Sequence, residues 1–187
     1  MEIRRLEPEL AEVFTSYLSE ISFDHEPHWA SCYCRFYHTV CPQEEWMNRS
    51  AERNKAEALD EIRNGNMKGL LAFDEGKCVG WLNANDAGAY SRLYPMIKEM
   101  VEGKKVGCTI CFVIHPEYRK QGIATALLKS AVGFFKDDGY DAVLGVPFEM
   151  PGEPEKMYRG FPKMFLEQGF KNIANHGPVK VMWLDLH

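Results

Sequence analysis

The sequence has no apolar run approaching the roughly 20 residues that a helix needs to span a bilayer. Its opening residues, MEIRRLEPEL, lack the apolar core of a secretion signal. It also lacks an excess of basic residues, since 22 Lys and Arg stand against 27 Asp and Glu, for a formal net charge of -5. Nucleic-acid partners usually require a basic surface. We therefore expect a cytoplasmic protein that binds neither a membrane nor nucleic acid.

Disulfides are not expected, although the chain has six cysteines, because nothing in the sequence indicates export to an oxidising compartment. Three of them lie in HEPHWASCYCRFYHTVC, and the spacing of Cys32, Cys34, His38 and Cys41 there permits a zinc hypothesis. Cys-x-Cys is, however, tighter than the usual Cys-x-x-Cys of zinc sites. We interpret the segment as aromatic packing and predict no metal site.

The composition predicts a single domain over residues 1–187. With 45% apolar and 12% aromatic residues, the chain can bury one substantial core and is short for two. Apolar periodicity predicts the order β-α-α-β-β-(α)-β-α-β-α-β-β. GCTICFVI is typical of a central strand covered on both faces. PQEEWMNRSAERNKAEALDEIRNGN and KMYRGFPKMFLEQ each predict one helix, and YDAVLGVPF predicts a strand. The result is an α/β layer around a mixed sheet.

One corner of this predicted fold has the chemistry of a phosphate site. The motifs G-x-G-x-x-G and G-x-x-x-x-G-K-[ST] are both absent. Instead, FVIHPEYRKQGIATALL turns from a strand into a helix through Arg119, Gly122 and Ala124. Glycine permits close approach of the backbone to a ligand, and the first turn of a helix presents unpaired N–H groups. The corner therefore predicts an anion site.

FVIHPEYRKQGIATALL also resembles the signature segment of the GNAT superfamily of acyl-coenzyme A dependent N-acyltransferases, a strand and short turn followed by R-x-x-G-x-[GA] opening a helix. FLEQGF is similar to a later signature of that family. The resemblance implies a GNAT-like mixed, mostly antiparallel central sheet with helices on both faces, and an N-acetyltransferase that uses acetyl-CoA. It assigns the pyrophosphate to Arg119, Lys120, Gln121, Gly122, Ile123, Ala124 and Thr125, and the pantetheine arm to the backbone of Phe112, Val113 and Ile114. The strand YDAVLGVPF would diverge from this edge and open a wedge.

The resemblance implies direct attack of an amine on the acetyl thioester, with a backbone N–H near Val113 stabilising the oxyanion. Many family members have a tyrosine acid four residues before the Gly-Phe signature, where this chain has Phe165. Tyr158 is the candidate substitute, unless the thiolate leaves without an acid. Among Asn83, Asn85 and Asp86, only Asp86 can act as a base. His115 is expected to shape the turn.

We expect the acceptor to be the primary amine of a small molecule. Trp29, Tyr33 and Tyr37 are candidates for one wall of its pocket, because aromatic faces attract cations, and Tyr90 is a candidate for the opposite wall together with Tyr94. The alternatives are a protein N-acetyltransferase, a non-catalytic acyl-CoA binding module, for which Phe165 is the argument, and a metal-stapled interaction domain. The resemblance also makes a homodimer possible.

Overall fold

A computed structural model describes residues 1–150, 152–153 and 156–187 of the chain. The helices are α1 (Ala11–Glu20), α2 (Gln43–Met47), α3 (Ala51–Arg63), α4 (Tyr94–Val101), α5 (Ile123–Asp137) and α6 (Pro162–Leu166). The strands are β1 (Glu2–Arg5), β2 (Gly69–Asp74), β3 (Lys77–Asp86), β4 (Val106–Ile114), β5 (Ala142–Gly145), β6 (Lys171–His176) and β7 (Val179–Asp185).

The strands form a seven-stranded sheet in the order β1-β2-β3-β4-β5-β7-β6. Only the β4–β5 pairing is parallel, so the sheet is mixed and mostly antiparallel, as predicted. One buried cluster joins the sheet to α1, α3 and α4, and a second joins it to α5 and α6. β4 is buried on both faces along most of its length, which explains its continuous apolar sequence.

The centre of the sheet opens into a wedge between β4 and β5. These strands pair only where Val106–Thr109 lies beside Ala142–Gly145, and β4 continues to Ile114 without β5 beside it. The observed strand β5 (Ala142–Gly145) is therefore shorter than the strand predicted over YDAVLGVPF. Pro147 lacks the N–H that would continue a ladder, and Phe148 makes only an isolated bridge to Val179. The wedge leaves the distal edge of β4 open to a ligand.

Two helix predictions were too long. The segment from Pro42 to Asn66 contains two helices, because Ser50 is extended and its side chain accepts a hydrogen bond from the Arg53 N–H, which starts α3 afresh. In KMYRGFPKMFLEQ only Pro162–Leu166 is α-helical, since Gly160 has a φ of 84° and Pro162 lies in the first turn. α4 is as predicted, with its proline also in the first turn.

Candidate active site

The corner between β4 and α5 has the backbone conformation of an anion site. Gly122, the N-cap of α5, has a φ of 80°, in the left-handed region that favours glycine. Lys120 also has a positive φ, of 61°. His115 accepts a hydrogen bond from the Glu117 N–H at Nδ1, 3.3 Å away, and so shapes the preceding turn as expected. Two left-handed residues thus turn the chain sharply into the helix.

The first turn of α5 presents unpaired amides. The N–H of Ala126 makes the first intrahelical bond, to the Gly122 carbonyl at 2.9 Å. The N–H groups of Ile123, Ala124 and Thr125 precede this bond and have no intrahelical acceptor. They lie at the positive end of the helix dipole, so an anion is favoured there.

A cavity of about 730 Å³ extends from this corner along the wedge to the segment that precedes α2. Nine of the ten predicted cofactor residues line it, namely Phe112, Val113, Ile114, Arg119, Lys120, Gly122, Ile123, Ala124 and Thr125. Gln121 is not among the lining residues, because its side chain turns back and donates to the Glu117 carbonyl at 3.0 Å. The far end of the cavity is aromatic and includes Trp29, Tyr33 and Tyr37, the residues proposed from the sequence for an acceptor wall, whose role stays a prediction.

At the end of β4, the polar backbone groups of Ile114 point into the wedge. The His115 N–H donates to the Val79 carbonyl at 3.0 Å, which makes Gly80 and Ile114 a non-hydrogen-bonded pair of the antiparallel ladder. The N–H and C=O of Ile114 therefore point away from β3. Arg119 Nε donates to this carbonyl at 3.3 Å, which leaves the Ile114 N–H as an edge donor in the cavity.

The neighbouring backbone groups of β4 are differently engaged. Val113 forms the hydrogen-bonded pair with Trp81, so its N–H points to β3. This corrects the expectation that the Val113 amide faces the reacting carbonyl. The Phe112 N–H points into the wedge but donates to the Tyr158 carbonyl at 2.7 Å. Of the three predicted pantetheine positions, Ile114 therefore has the amide that is oriented to meet a ligand.

Two tyrosine hydroxyls meet inside the cavity. Tyr158 Oη and Tyr37 Oη are 2.9 Å apart, and the Tyr158 ring packs edge-on against Trp29 with a centroid distance of 4.9 Å. Burial raises the pKa of Tyr158, although the nearby Arg159 guanidinium opposes the shift. Burial also holds the pKa of Tyr37 well above its usual value. Both hydroxyls are therefore protonated at neutral pH and available as donors.

The sequence model of the Acetyltransferase (GNAT) family matches residues 26–151, more than half of the chain. The chain belongs to the GNAT family. GNAT enzymes use acetyl-CoA as acyl donor, so the chain is an acetyl-CoA dependent N-acetyltransferase, as predicted. No curated relative matches the sequence significantly. Among the described residues, no helix has the length and apolar character needed to cross a membrane.

Solved GNAT structures share the fold at low sequence identity. The polyamine N-acetyltransferase of Drosophila melanogaster is 13% identical, with a TM-score of 0.60 over 98% of this chain and 99% of that one. An aminoglycoside 6'-acetyltransferase type Ii is 15% identical, with a TM-score of 0.59 over 100% and 98%. The yncA acetyltransferase of Salmonella typhimurium, solved with its cofactor acetyl-CoA, is 15% identical, with a TM-score of 0.54 over 100% and 94%. At these identities the likeness shows the fold alone.

The GNAT position expected to hold a tyrosine acid is a core position in this enzyme. Phe165 is fully buried and packs against Phe112 and Phe170. Its ring also lies directly over Gly145, where an added Cβ would come within 2.2 Å of Phe165 Cε1. Phe165 is not among the residues that line the cavity. The residue at this position therefore cannot supply a proton to the leaving thiolate.

Two predicted site residues lie outside the cavity. Asp86 is exposed at the end of β3 opposite Gly107, and its carboxylate accepts the Gly88 N–H at 2.8 Å, so it caps a turn. Tyr90 is fully buried and donates to Asn83 Oδ1 at 2.9 Å, in the core behind the cavity wall. The structure thus corrects both expectations, a base at Asp86 and an acceptor wall at Tyr90.

The residues considered in the zinc hypothesis have different partners in the structure. Cys34 Sγ accepts from Trp81 Nε1 at 3.1 Å, and Cys41 Sγ accepts from Arg92 at 3.3 Å. His38 is bound to Asn83 and to a backbone carbonyl instead. Within the described part of the chain, no three His, Cys, Asp or Glu side chains come together as metal ligands. The close spacing of Cys34, His38 and Cys41 in the sequence therefore does not place them together, because each side chain bonds to a different residue of the fold.

Several residues at the far end of the cavity were not predicted from the sequence. Cys111 lines it from β4, and the other unpredicted members of this wall are Phe23, Phe36, Trp46 and Met47. Their apolar periodicity is that of ordinary core residues. Their position beside the wedge is what distinguishes them from core residues, and that position depends on the fold.

Proposed function

We propose that this GNAT enzyme acetylates the primary amine of a small molecule. The observation that carries the proposal is the continuity of one cavity, which joins the amides of α5 at one end to an aromatic wall at the other. A cavity with a wall of aromatic side chains suits a small ligand better than it suits an extended protein chain. The organisation as one domain over residues 1–187 and the homodimer both stay predictions.

In this proposal the corner holds the donor. The amides of Ile123, Ala124 and Thr125 bind the pyrophosphate, with Arg119 and Lys120 supplying charge. The backbone along β4 orients the pantetheine arm, chiefly through the N–H of Ile114.

The chemistry follows from these positions. The amine nitrogen forms a bond to the acetyl carbonyl carbon, the carbon–sulfur bond breaks, and the proton lost by the amine balances the one that the thiolate gains. The Tyr158 hydroxyl, which stays protonated because its pKa is raised, donates that proton to the thiolate. Tyr37 accepts from or donates to Tyr158 and so orients its hydroxyl. Solvent at the cavity mouth accepts the proton that the amine nitrogen loses, and the Tyr158 phenolate regains a proton from solvent, so the protons balance over the reaction.

The test compares two substitutions of the same shape at Gly122. An added Cβ there meets no atom within 4 Å, and Asn and Asp both tolerate the left-handed conformation, so the two variants carry the same steric and backbone cost. Gly122→Asp places a negative charge beside the anion site, and Gly122→Asn does not. Calorimetric titration with acetyl-CoA should show at least tenfold weaker binding for the Asp variant than for the Asn variant. Equal binding by the two would remove the corner from the donor site.

A further inference from the structure

The far end of the cavity, which we call the acceptor wall, contains no carboxylate. It consists of Phe23, Trp29, Phe36, Tyr37, Trp46 and Tyr158, with Met47 and Leu18 filling the spaces between the rings. Among the described residues that line the whole cavity, none is Asp or Glu. An acceptor with two or more ammonium groups would therefore lose its hydration here without gaining a counter-charge.

The aromatic faces of this wall already bind cations of the chain itself. The Arg92 guanidinium lies 4.4 Å from the Phe36 ring centroid and 5.7 Å from that of Trp46. The Arg159 guanidinium lies 5.3 Å from the Tyr37 centroid and 5.8 Å from that of Tyr158. Neither arginine lines the cavity, so both lie behind these rings, and their positive charge weakens the attraction of the rings for a ligand ammonium.

Arg92 is held in place by two backbone carbonyls. Arg92 Nε donates to the Thr39 carbonyl at 2.6 Å, and its other nitrogen donates to the Cys41 carbonyl at 3.2 Å. Within the described part of the chain, neither Arg92 nor Arg159 has a carboxylate within salt-bridge distance. Both charges therefore remain uncompensated next to the wall and repel a cation that enters the cavity.

One carboxylate near the wall in sequence, that of Glu26, is already engaged. Glu26 precedes Trp29 by three residues, and its two oxygens pair with His28 at 3.3 Å and with Lys156 at 3.2 Å. It is thus not free to bind a second ammonium group of an acceptor.

From this arrangement we infer that the acceptor is an aryl or arylalkyl monoamine, whose ring packs on the acceptor wall and whose single amine reaches the donor, and not a polyamine or aminoglycoside. The inference rests on the proposed function and specifies its substrate class. The earlier expectation that the aromatic faces attract the acceptor as a cation is revised, because Arg92 and Arg159 already occupy that role.

The test uses two probes with the same primary amine, 2-phenylethylamine and 1,4-diaminobutane, which differ in carrying a ring or a second ammonium group. The enzyme saturated with CoA is titrated with each amine by calorimetry, and CoA release from acetyl-CoA is measured in parallel. The expected result is at least tenfold tighter binding and a tenfold higher kcat/KM for 2-phenylethylamine. Preference for the diamine, equal affinity or binding of neither amine would overturn the inference.

A matched pair of variants tests the electrostatic argument itself. Gln43 lines the cavity, and Gln43→Glu adds one carboxylate with almost no change of shape. It should shift the ratio of the two affinities toward the diamine by at least tenfold. Glu44→Gln removes a charge at the next residue, which does not line the cavity, and should shift the ratio less than twofold. An unchanged ratio in the Gln43 variant would contradict the proposed role of charge.

Binding and turnover separate this inference from the proposed function. If 2-phenylethylamine binds selectively to the CoA complex but is not acetylated, the acceptor class stands and the proposed reaction fails. If the diamine is acetylated efficiently and 2-phenylethylamine is not, the proposed reaction stands and the acceptor class is wrong.

Discussion

Acid should destabilise this enzyme through one buried histidine. His38 Nδ1 donates to the Ala89 carbonyl at 3.1 Å, and Nε2 accepts from Asn83 Nδ2 at 3.2 Å. Burial first, and then the charge of the nearby Arg35, lower the pKa of His38 from 6.5 to about 4, although the hydrogen bonds to Ala89 and Asn83 oppose the shift. The folded protein therefore keeps a neutral imidazole at pH values where the unfolded chain binds a proton.

The sign and size of the effect follow by linkage. Because the pKa is lower in the folded state, protons bind the unfolded state preferentially, so stability falls as the pH drops from about 6.5 to about 4. Between pH 7.5 and 4.5 the loss from this one group amounts to about 2.5 kcal/mol, a large part of the stability of a typical domain.

The assay is urea unfolding of the parent and of His38→Gln at both pH values. Glutamine retains an acceptor for Asn83 and cannot titrate, although it loses the bond to Ala89 at a cost of about 1 kcal/mol at pH 7.5. The free energy of unfolding should fall between the two pH values by about 2 kcal/mol more in the parent than in the variant. His176→Gln, at an exposed site in β6, should behave as the parent. Parallel pH dependence in parent and His38→Gln would refute the reasoning.

Two further predictions concern the missing acid. Phe165→Tyr should not raise kcat, and should cost about 1 to 3 kcal/mol in urea unfolding, because the fully buried ring contacts Gly145 and has no space for a hydroxyl; a stable and faster variant would contradict this packing argument. Tyr158→Phe should lower kcat by about 10- to 100-fold with little change in acetyl-CoA affinity by calorimetry, and an unchanged kcat would show that the thiolate leaves without an acid.

The donor side of the site was predictable from sequence because it is contiguous. The strand, the turn and the first helical turn follow one another between Phe112 and Thr125, so local rules suffice to place them. Gly122 could be assigned a special backbone conformation from the same local pattern. Within that stretch the Val113 amide points to β3, and the Gln121 side chain returns to the Glu117 carbonyl.

The acceptor side depends on pairing that local rules do not contain. Asp86 seemed suitable because it ends β3, but β3 and β4 are antiparallel. The site at the end of β4 therefore lies beside the start of β3, where Gly80 faces Ile114, and Asp86 lies beside Gly107 at the other end. Tyr90 follows Asp86 and is misplaced for the same reason.

A proton donor on a loop must be fixed as firmly as one on a helix if it is to act at a defined atom. Phe165 fills the helical position with core packing, and Tyr158 lies in the segment before α6. Its carbonyl accepts the Phe112 N–H at 2.7 Å, which ties the segment to the edge of β4 as one rung of a ladder. Its hydroxyl is held 2.9 Å from that of Tyr37.

In the proposed mechanism, the backbone bond fixes where Tyr158 lies and the side-chain bond fixes where its hydroxyl points. Tyr37→Phe should therefore lower kcat less than Tyr158→Phe does, since it releases the hydroxyl of Tyr158 without removing it.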